Sequence, residues 1–203
     1  IPQIREAPAD WAEVASVGVA ILAAEGVHQG QRGVLDALEI DRAHLIGLSM
    51  GAYTCLRFVL AHPERVASGV VASGGSGSFP TNRSEFLSET LALADHILAQ
   101  NSLDLPGFAT SATRLQLKLK NPDGWQEFSD HFAEHSPMGS AYTLRRVQAG
   151  RPSLYDFEVA LGAVTTPVLL MIGDEDEPCI DTNIFLKRAM PSAGLVVFSK
   201  SGH

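Results

Sequence analysis

The sequence predicts an α/β fold built on a parallel sheet. Three observations predict it. Short apolar runs end near residues 48, 72, 172 and 198, each at a loop rich in glycine, serine or acid. Helical patterns with a 3.6-residue period lie between them. One junction, Ala43 to Ala52, compresses a strand end, a Gly-x-Ser-x-Gly turn and a helix start into a single segment. Strands separated by helices pair in parallel through right-handed crossovers, and such sheets collect ligands beyond the carboxyl ends of their strands.

Asp10-Trp11-Ala12-Glu13 has capping-box spacing, and Val14, Val17, Gly18, Ile21 and Leu22 mark a helical face after it. Gly26 and Gly30 are expected to interrupt that helix, with a second stretch running to about Leu38. Leu45, Ile46 and Leu48 form a buried-strand run. Ala52, Cys55, Leu56, Val59 and Leu60 then fall on one helical face, closed by Pro63 with His62 in the last turn. Arg65 to Ala72 reads as the next strand and ends in Ser73-Gly74-Gly75-Ser76-Gly77, expected to be a flexible loop. From about 80 to 160 helical patterns dominate: Phe86 to Ala99, Thr110 to Lys120, and Trp125 to His135 after an Asn121-Pro122-Asp123-Gly124 turn. Leu115, Leu117 and Leu119 also alternate as a strand would, but their flanks favour helix. Pro167 to Ile172 and Leu195 to Phe198 are the third and fourth strands, with a helix over Ile184 to Met190 between them and Pro191 as its stop. The expected organisation is a core of 1–79 and 161–203 with a helical lid inserted at 80–160.

Composition narrows the classes. The 203 residues are 45% hydrophobic and 19% charged, as in a globular chain with one good-sized core. A net charge of −8 without a Lys/Arg cluster argues against nucleic acid and anionic membrane as partners. Cys55 and Cys179 make neither a disulfide framework nor a metal pattern, and Cys55 lies on the apolar face of its helix. No apolar run is long enough to span a bilayer. A cytoplasmic location is expected, and the oligomeric state is left open. The chain begins at Ile1 and finishes on Ser201-Gly202-His203, which reads as an internal piece of a longer protein.

The chemistry centres on Ser49. A strand–turn–helix junction lifts its hydroxyl out of the fold, and the flanking glycines leave room for the neighbouring backbone. A serine hydroxyl is a poor nucleophile at neutral pH. It needs a base within hydrogen-bond reach, and the base needs an orienting carboxylate. The loop Gly173-Asp174-Glu175-Asp176-Glu177-Pro178 and the turn before His203 lie past strand ends on the same rim as Ser49. Asp176, three residues after Gly173, is the expected acid, with Asp174 the runner-up and Glu175 and Glu177 facing solvent. His203 is the expected base. His131-Phe132-Ala133-Glu134-His135 spells an inverted zinc-protease motif, with two histidines one turn apart if helical. A solvated lid face beside Phe128 and Phe132 is the simpler reading, and neither metal nor organic cofactor is expected.

With these motifs, together with Val34-Leu35-Asp36-Ala37-Leu38-Glu39-Ile40 before the elbow and His62-Pro63-Glu64-Arg65-Val66 after it, the chain resembles the α/β-hydrolase superfamily, most closely its bacterial enol-lactonase and carboxylesterase branch. The resemblance implies a parallel-sheet α/β-hydrolase core with an inserted helical lid. It also implies that Ser49 is nucleophile, Asp176 orienting acid and His203 general base, with the Met50 N–H as one oxyanion donor. The substrate implied is a small ester or lactone. A carbon–carbon bond hydrolase, a cofactor-free perhydrolase and a hydrolase-like receptor with little turnover are the alternatives. About four strands that precede the elbow strand in the family, its His-Gly oxyanion loop and the helix after its catalytic histidine have no counterpart in the sequence. Residues 1–203 alone are therefore expected to be poorly soluble and nearly inactive, and strong esterase activity from them would overturn that expectation.

Overall fold

The computed structural model describes residues 27–105 and 107–203. The helix expected after Asp10 lies outside them. A four-stranded sheet forms the centre: β1 (Ala43–Leu48), β2 (Val66–Ala72), β3 (Val168–Gly173) and β4 (Ala193–Phe198), in that spatial order. All neighbours are parallel, with Leu48 opposite Ala72, Ala72 opposite Met171 and Gly173 opposite Phe198. The carboxyl ends of the four strands thus share one rim.

Before β1 runs α1 (Val27–Ala37). Gly30 lies within it and does not interrupt it. One glycine costs a helix about 1 kcal/mol, too little to stop a segment whose Leu35 packs into the core. Between β1 and β2 runs α2 (Met50–Ala61), ended at His62 before Pro63. Ala52, Tyr53, Leu56, Phe58 and Val59 are all fully buried. More of α2 is covered than one stripe predicts, because it packs on the sheet, on α1 and under Pro152, whose carbonyl accepts from the Tyr53 hydroxyl at 3.1 Å. Each large side chain buried this way contributes about 1.5–3 kcal/mol.

The segment from β2 to β3 is helical: α3 (Arg83–Gln100), α4 (Leu115–Lys120), α5 (Pro122–Ala133), α6 (Pro137–Thr143), a π-helical turn (Leu144–Gln148) and α7 (Glu158–Gly162). Leu115, Leu117 and Leu119 are in a helix, not a strand, and the helix begins later than Thr110 because a 3-10 turn (Phe108–Thr110) intervenes. Ala94, Ile97 and Ala141 form a small core of their own between α3 and α6. Leu154 and Leu161 instead belong to the main core beneath the sheet, with Val71, Leu170 and Leu186. Between β3 and β4, α8 (Glu177–Ala189) starts seven residues earlier than the apolar pattern suggested. Pro178 sits in its first turn, where a missing N–H costs nothing. Among the described residues β1 is the outer strand, with Ile46 82% and Leu48 59% exposed. No described helix is long and apolar enough to cross a membrane.

Candidate active site

Ser49 stands between β1 and α2 with φ 56° and ψ −113°, a conformation L-residues rarely adopt. Its backbone is over-determined: its N–H donates to the Ala72 carbonyl of β2 at 2.9 Å, and its carbonyl accepts from Tyr53 at 3.2 Å. Gly47 is required, because a Cβ there would overlap the Gly51 backbone. Ser49 occupies the cap position of α2 without capping it. The hydroxyl is turned to His203 instead, with Nε2 2.8 Å from Oγ. The neighbouring Met50 N–H opens the helix and has no acceptor among the described residues.

His203 is held from its other side. Its Nδ1 lies 2.9 Å from Asp176 Oδ2. A carboxylate only accepts, so Nδ1 carries the proton and Nε2 accepts the Ser49 O–H. Asp176 is fully buried and directly precedes α8, where the helix dipole favours negative charge. Its Oδ1 is buried with no hydrogen-bond partner.

The remaining carboxylates of this loop have other partners. Asp174 Oδ1 accepts from the Ser201 N–H at 3.3 Å, and the Glu175 N–H donates to the Ser201 carbonyl at 2.9 Å. The Glu175 side chain does not simply face solvent: it pairs with Lys120 of α4, which also donates to the Lys200 carbonyl. Glu177 is exposed as expected. The acidic loop and the turn before His203 thus clamp each other, and Gly173 is small because a Cβ would strike the Ser201 carbonyl.

The loop after β2 is not flexible in the way its composition suggested. Asn183 Nδ2 donates to the Gly74 carbonyl at 2.8 Å and Thr182 Oγ1 to Gly75 at 3.2 Å. Arg151 Nη2 donates to Ser76 at 2.8 Å, and Arg83 Nη1 to Gly77 at 2.7 Å. Arg151 is 2% exposed, and burial pulls its guanidinium down to about 10. Gly75, at φ 110°, has no room for a Cβ beside Thr182. These four anchoring side chains are unmarked in the sequence, because they come from three separate segments and share no spacing.

Over Ser49 and His203 opens a cavity of about 470 Å³, walled by Phe86, Thr90 and Leu93 of α3 and by Arg114 ahead of α4. A second cavity of about 570 Å³ lies beside it along α5 and α6 and is lined by Met50, Phe132 and His135. Leu93, Phe108, Arg114, Leu144 and Gln148 line both. The His131–His135 motif does not form a two-histidine helix face: α5 ends at Ala133, and His135 lies past it, its ring edge-on to Phe132 at 5.6 Å. Among the described residues, the one group of donors close enough to share an ion is Asp176, Cys179 and His203. Two of those three already hold the serine–histidine–aspartate chain, and burial pushes the Cys179 thiol up, away from the thiolate a metal needs.

Comparison with known proteins agrees with this architecture. The chain is 28% identical over 180 residues to a 2-hydroxy-6-oxononadienedioate/2-hydroxy-6-oxononatrienedioate hydrolase of Paraburkholderia xenovorans, an alignment covering 85% of this chain and 59% of the relative. The chain thus spans about three fifths of the length of the curated relatives it matches. Its fold superposes on MenH from S. aureus with a TM-score of 0.73 at 19% identity, covering 89% of this chain and 68% of that one. A thermophilic esterase from Thermogutta terrifontis gives 0.72 at 20% identity, covering 90% and 65%. The model of the α/β hydrolase fold matches residues 31–203. With the parallel sheet, the left-handed serine at its rim and this match over most of its length, the chain belongs to the α/β-hydrolase fold family.

Proposed function

We propose that the chain carries the catalytic apparatus of a serine hydrolase that cleaves a small carboxylic ester or lactone through an acyl-enzyme. The observation that carries this reading is the continuous chain from Ser49 Oγ through His203 to Asp176, with links of 2.8 and 2.9 Å. Ser49 attacks the carbonyl carbon, and its proton passes to His203 Nε2. Asp176 holds the tautomer and stabilises the imidazolium that results. The Met50 N–H donates to the oxyanion. The imidazolium returns the proton to the leaving oxygen, and water then repeats the sequence to release the acid. The helices between β2 and β3 act as a lid that shapes the pocket, and residues 80–160 set specificity. The chemistry requires no metal or organic cofactor.

A second reading is favoured by the relatives' names. Curated relatives of the chain are named as hydrolases of 2-hydroxy-6-oxo dioates; on a 6-oxo compound the carbonyl is a ketone, and the same residues would cleave a carbon–carbon bond. A fluorophosphonate probe tests the serine directly in the full-length protein. Labelling of Ser49 with fast multiple turnover of p-nitrophenyl acetate is the expected result. Turnover of a 6-oxo acid at least tenfold faster than of any ester would favour the second reading. Labelling without turnover on either class would make the protein a ligand receptor instead.

A further inference from the structure

One helix of the segment between β2 and β3 touches both loops that carry the acid and the base. α4 begins directly after residues 111–114, which line the cavity over Ser49 and His203. Its last residue, Lys120, reaches the other way. The Lys120 ammonium pairs with the Glu175 carboxylate and donates to the Lys200 carbonyl at 2.8 Å. Glu175 is the residue before Asp176, and Lys200 stands three residues before His203. Gln116 of the same helix lies so close to Gly202 that a Cβ on the glycine would come within 2.7 Å of its side chain.

These contacts fall on a strained turn. Lys200 has φ 56°, a left-handed backbone that a lysine keeps only when its surroundings hold it there. The peptide that follows is held at both ends. Its carbonyl accepts from Lys120, and its N–H, that of Ser201, donates to Asp174 Oδ1 at 3.3 Å. The Ser201 carbonyl in turn accepts from the Glu175 N–H at 2.9 Å. Lys120, Glu175 and residues 200–201 thus close a ring. Asp176 follows one member of it directly, and His203 follows another by two residues. Within the ring only Lys120 comes from outside the two catalytic loops. The side chains of Lys120 and Glu175 are 41% and 31% exposed, and an ion pair that open to water adds little to stability. What it fixes is geometry.

We propose that Lys120 is a positioning residue for the triad: through its ammonium the lid sets the turn before His203 against the loop of Asp176, and so keeps the imidazole within reach of Ser49. The proposal deepens the serine-hydrolase reading and rests on it for the role of His203. Lys120 lines neither cavity, so it acts on the rate of attack and leaves substrate affinity alone.

The test is the rate of fluorophosphonate labelling in the full-length protein, with the folded fraction followed by urea denaturation. K120M is expected to fold and to be labelled about 10- to 100-fold more slowly, the cost of a base held loosely. On p-nitrophenyl acetate its kcat falls by a similar factor, with KM within about twofold. K120R, which keeps the charge and can donate to both acceptors, is expected to be labelled at least about threefold faster than K120M. K120M/E175M is expected to lie within about twofold of K120M, because the two side chains act as one unit. K118M, on the same helix but set over the Trp125 ring, stays within about twofold of the unsubstituted protein. Unslowed labelling of K120M, an equal slowing in K118M, a raised KM at unchanged kcat, or a slowing that follows loss of folded protein would each overturn the proposal. Failure of the serine reading shows elsewhere, as absent labelling of the unsubstituted protein, and takes this proposal with it.

Discussion

β1 and β2 lie side by side, and each runs into a serine with a left-handed backbone: Ser49 at φ 56° and Ser73 at φ 50°. After Ser49 a helix begins at once. Gly47 lets the backbone of that helix approach so closely that the hydroxyl is left at the mouth of a cavity, whereas a Cβ at Gly51 would meet nothing, so the second glycine of the motif is not required by space as the sequence suggested. After Ser73 comes a loop, and everything around it closes in. Ser73 is 6% exposed, its carbonyl faces the Cys179 thiol, and α8 fastens the next two residues through Thr182 and Asn183. The same local strain presents a reactive group at one strand end and serves as a structural corner at the other. Strain alone therefore does not mark a functional serine; a helix starting at the very next residue does.

The sharpest way to break the comparison is to remove each hydroxyl. S49A is expected to lower turnover about 10⁵-fold or more and to abolish fluorophosphonate labelling, whereas S73A leaves the rate within about twofold. Equal losses would mean that the two corners are not distinguished as described. Next in size, D176N is expected to cost about 10⁴-fold in kcat through the wrong histidine tautomer. D174N, whose amide oxygen still accepts from the Ser201 N–H, is expected to cost less than about tenfold. A pH–rate series on both variants reads out which carboxylate orients the base.

Smaller effects test the glycines. Both G47A and G75A force a Cβ into occupied space and are expected to lose about 1–3 kcal/mol in chemical denaturation, with G75A also strained by its positive φ. Only G47A is expected to slow labelling of Ser49 as well, because it displaces the elbow. The smallest effect concerns the thiols. Burial pushes Cys55 up to about 12, and Cys179 is raised in the same direction. The unfolded thiols, near 9, lose their protons first, so the unfolded state binds fewer protons above pH 9 and stability falls as pH rises from about 9 to 12. C55A is expected to flatten that fall, and iodoacetamide near neutral pH to leave both thiols of the folded protein unmodified. Modification of Cys179 before unfolding would show that the Ser73 corner is not sealed.

The elbow was legible because its parts are contiguous: apolar run, glycine, serine, glycine and amphipathic helix sit in one stretch, and local sterics dictate their order. The strands were legible because each is a continuous apolar run, although the run Leu45, Ile46 and Leu48 is not buried as expected: among the described residues β1 is the outer strand and leaves Ile46 and Leu48 exposed. Gly30, expected with Gly26 to interrupt a helix that lies outside the described residues, sits inside α1, because a propensity cost of about 1 kcal/mol is easily outweighed by packing. The glycine loop after β2 reads as flexible by composition, yet its glycines are there so that α3 and α8 can approach, and its anchors Arg83, Arg151, Thr182 and Asn183 belong to other elements, three of them far away in the sequence.

By itself, then, the sequence determined the class of fold, the position of Ser49 and the two segments able to answer it. It did so because hydrophobic period, turn sterics and strand order are local properties of the chain. Only the tertiary structure decided that Asp176 faces His203 while Asp174 faces Ser201. It alone drew Lys120 of α4 onto both the Glu175 carboxylate and the Lys200 carbonyl. Those outcomes depend on which side chains from distant segments are pressed together, and no local spacing encodes that.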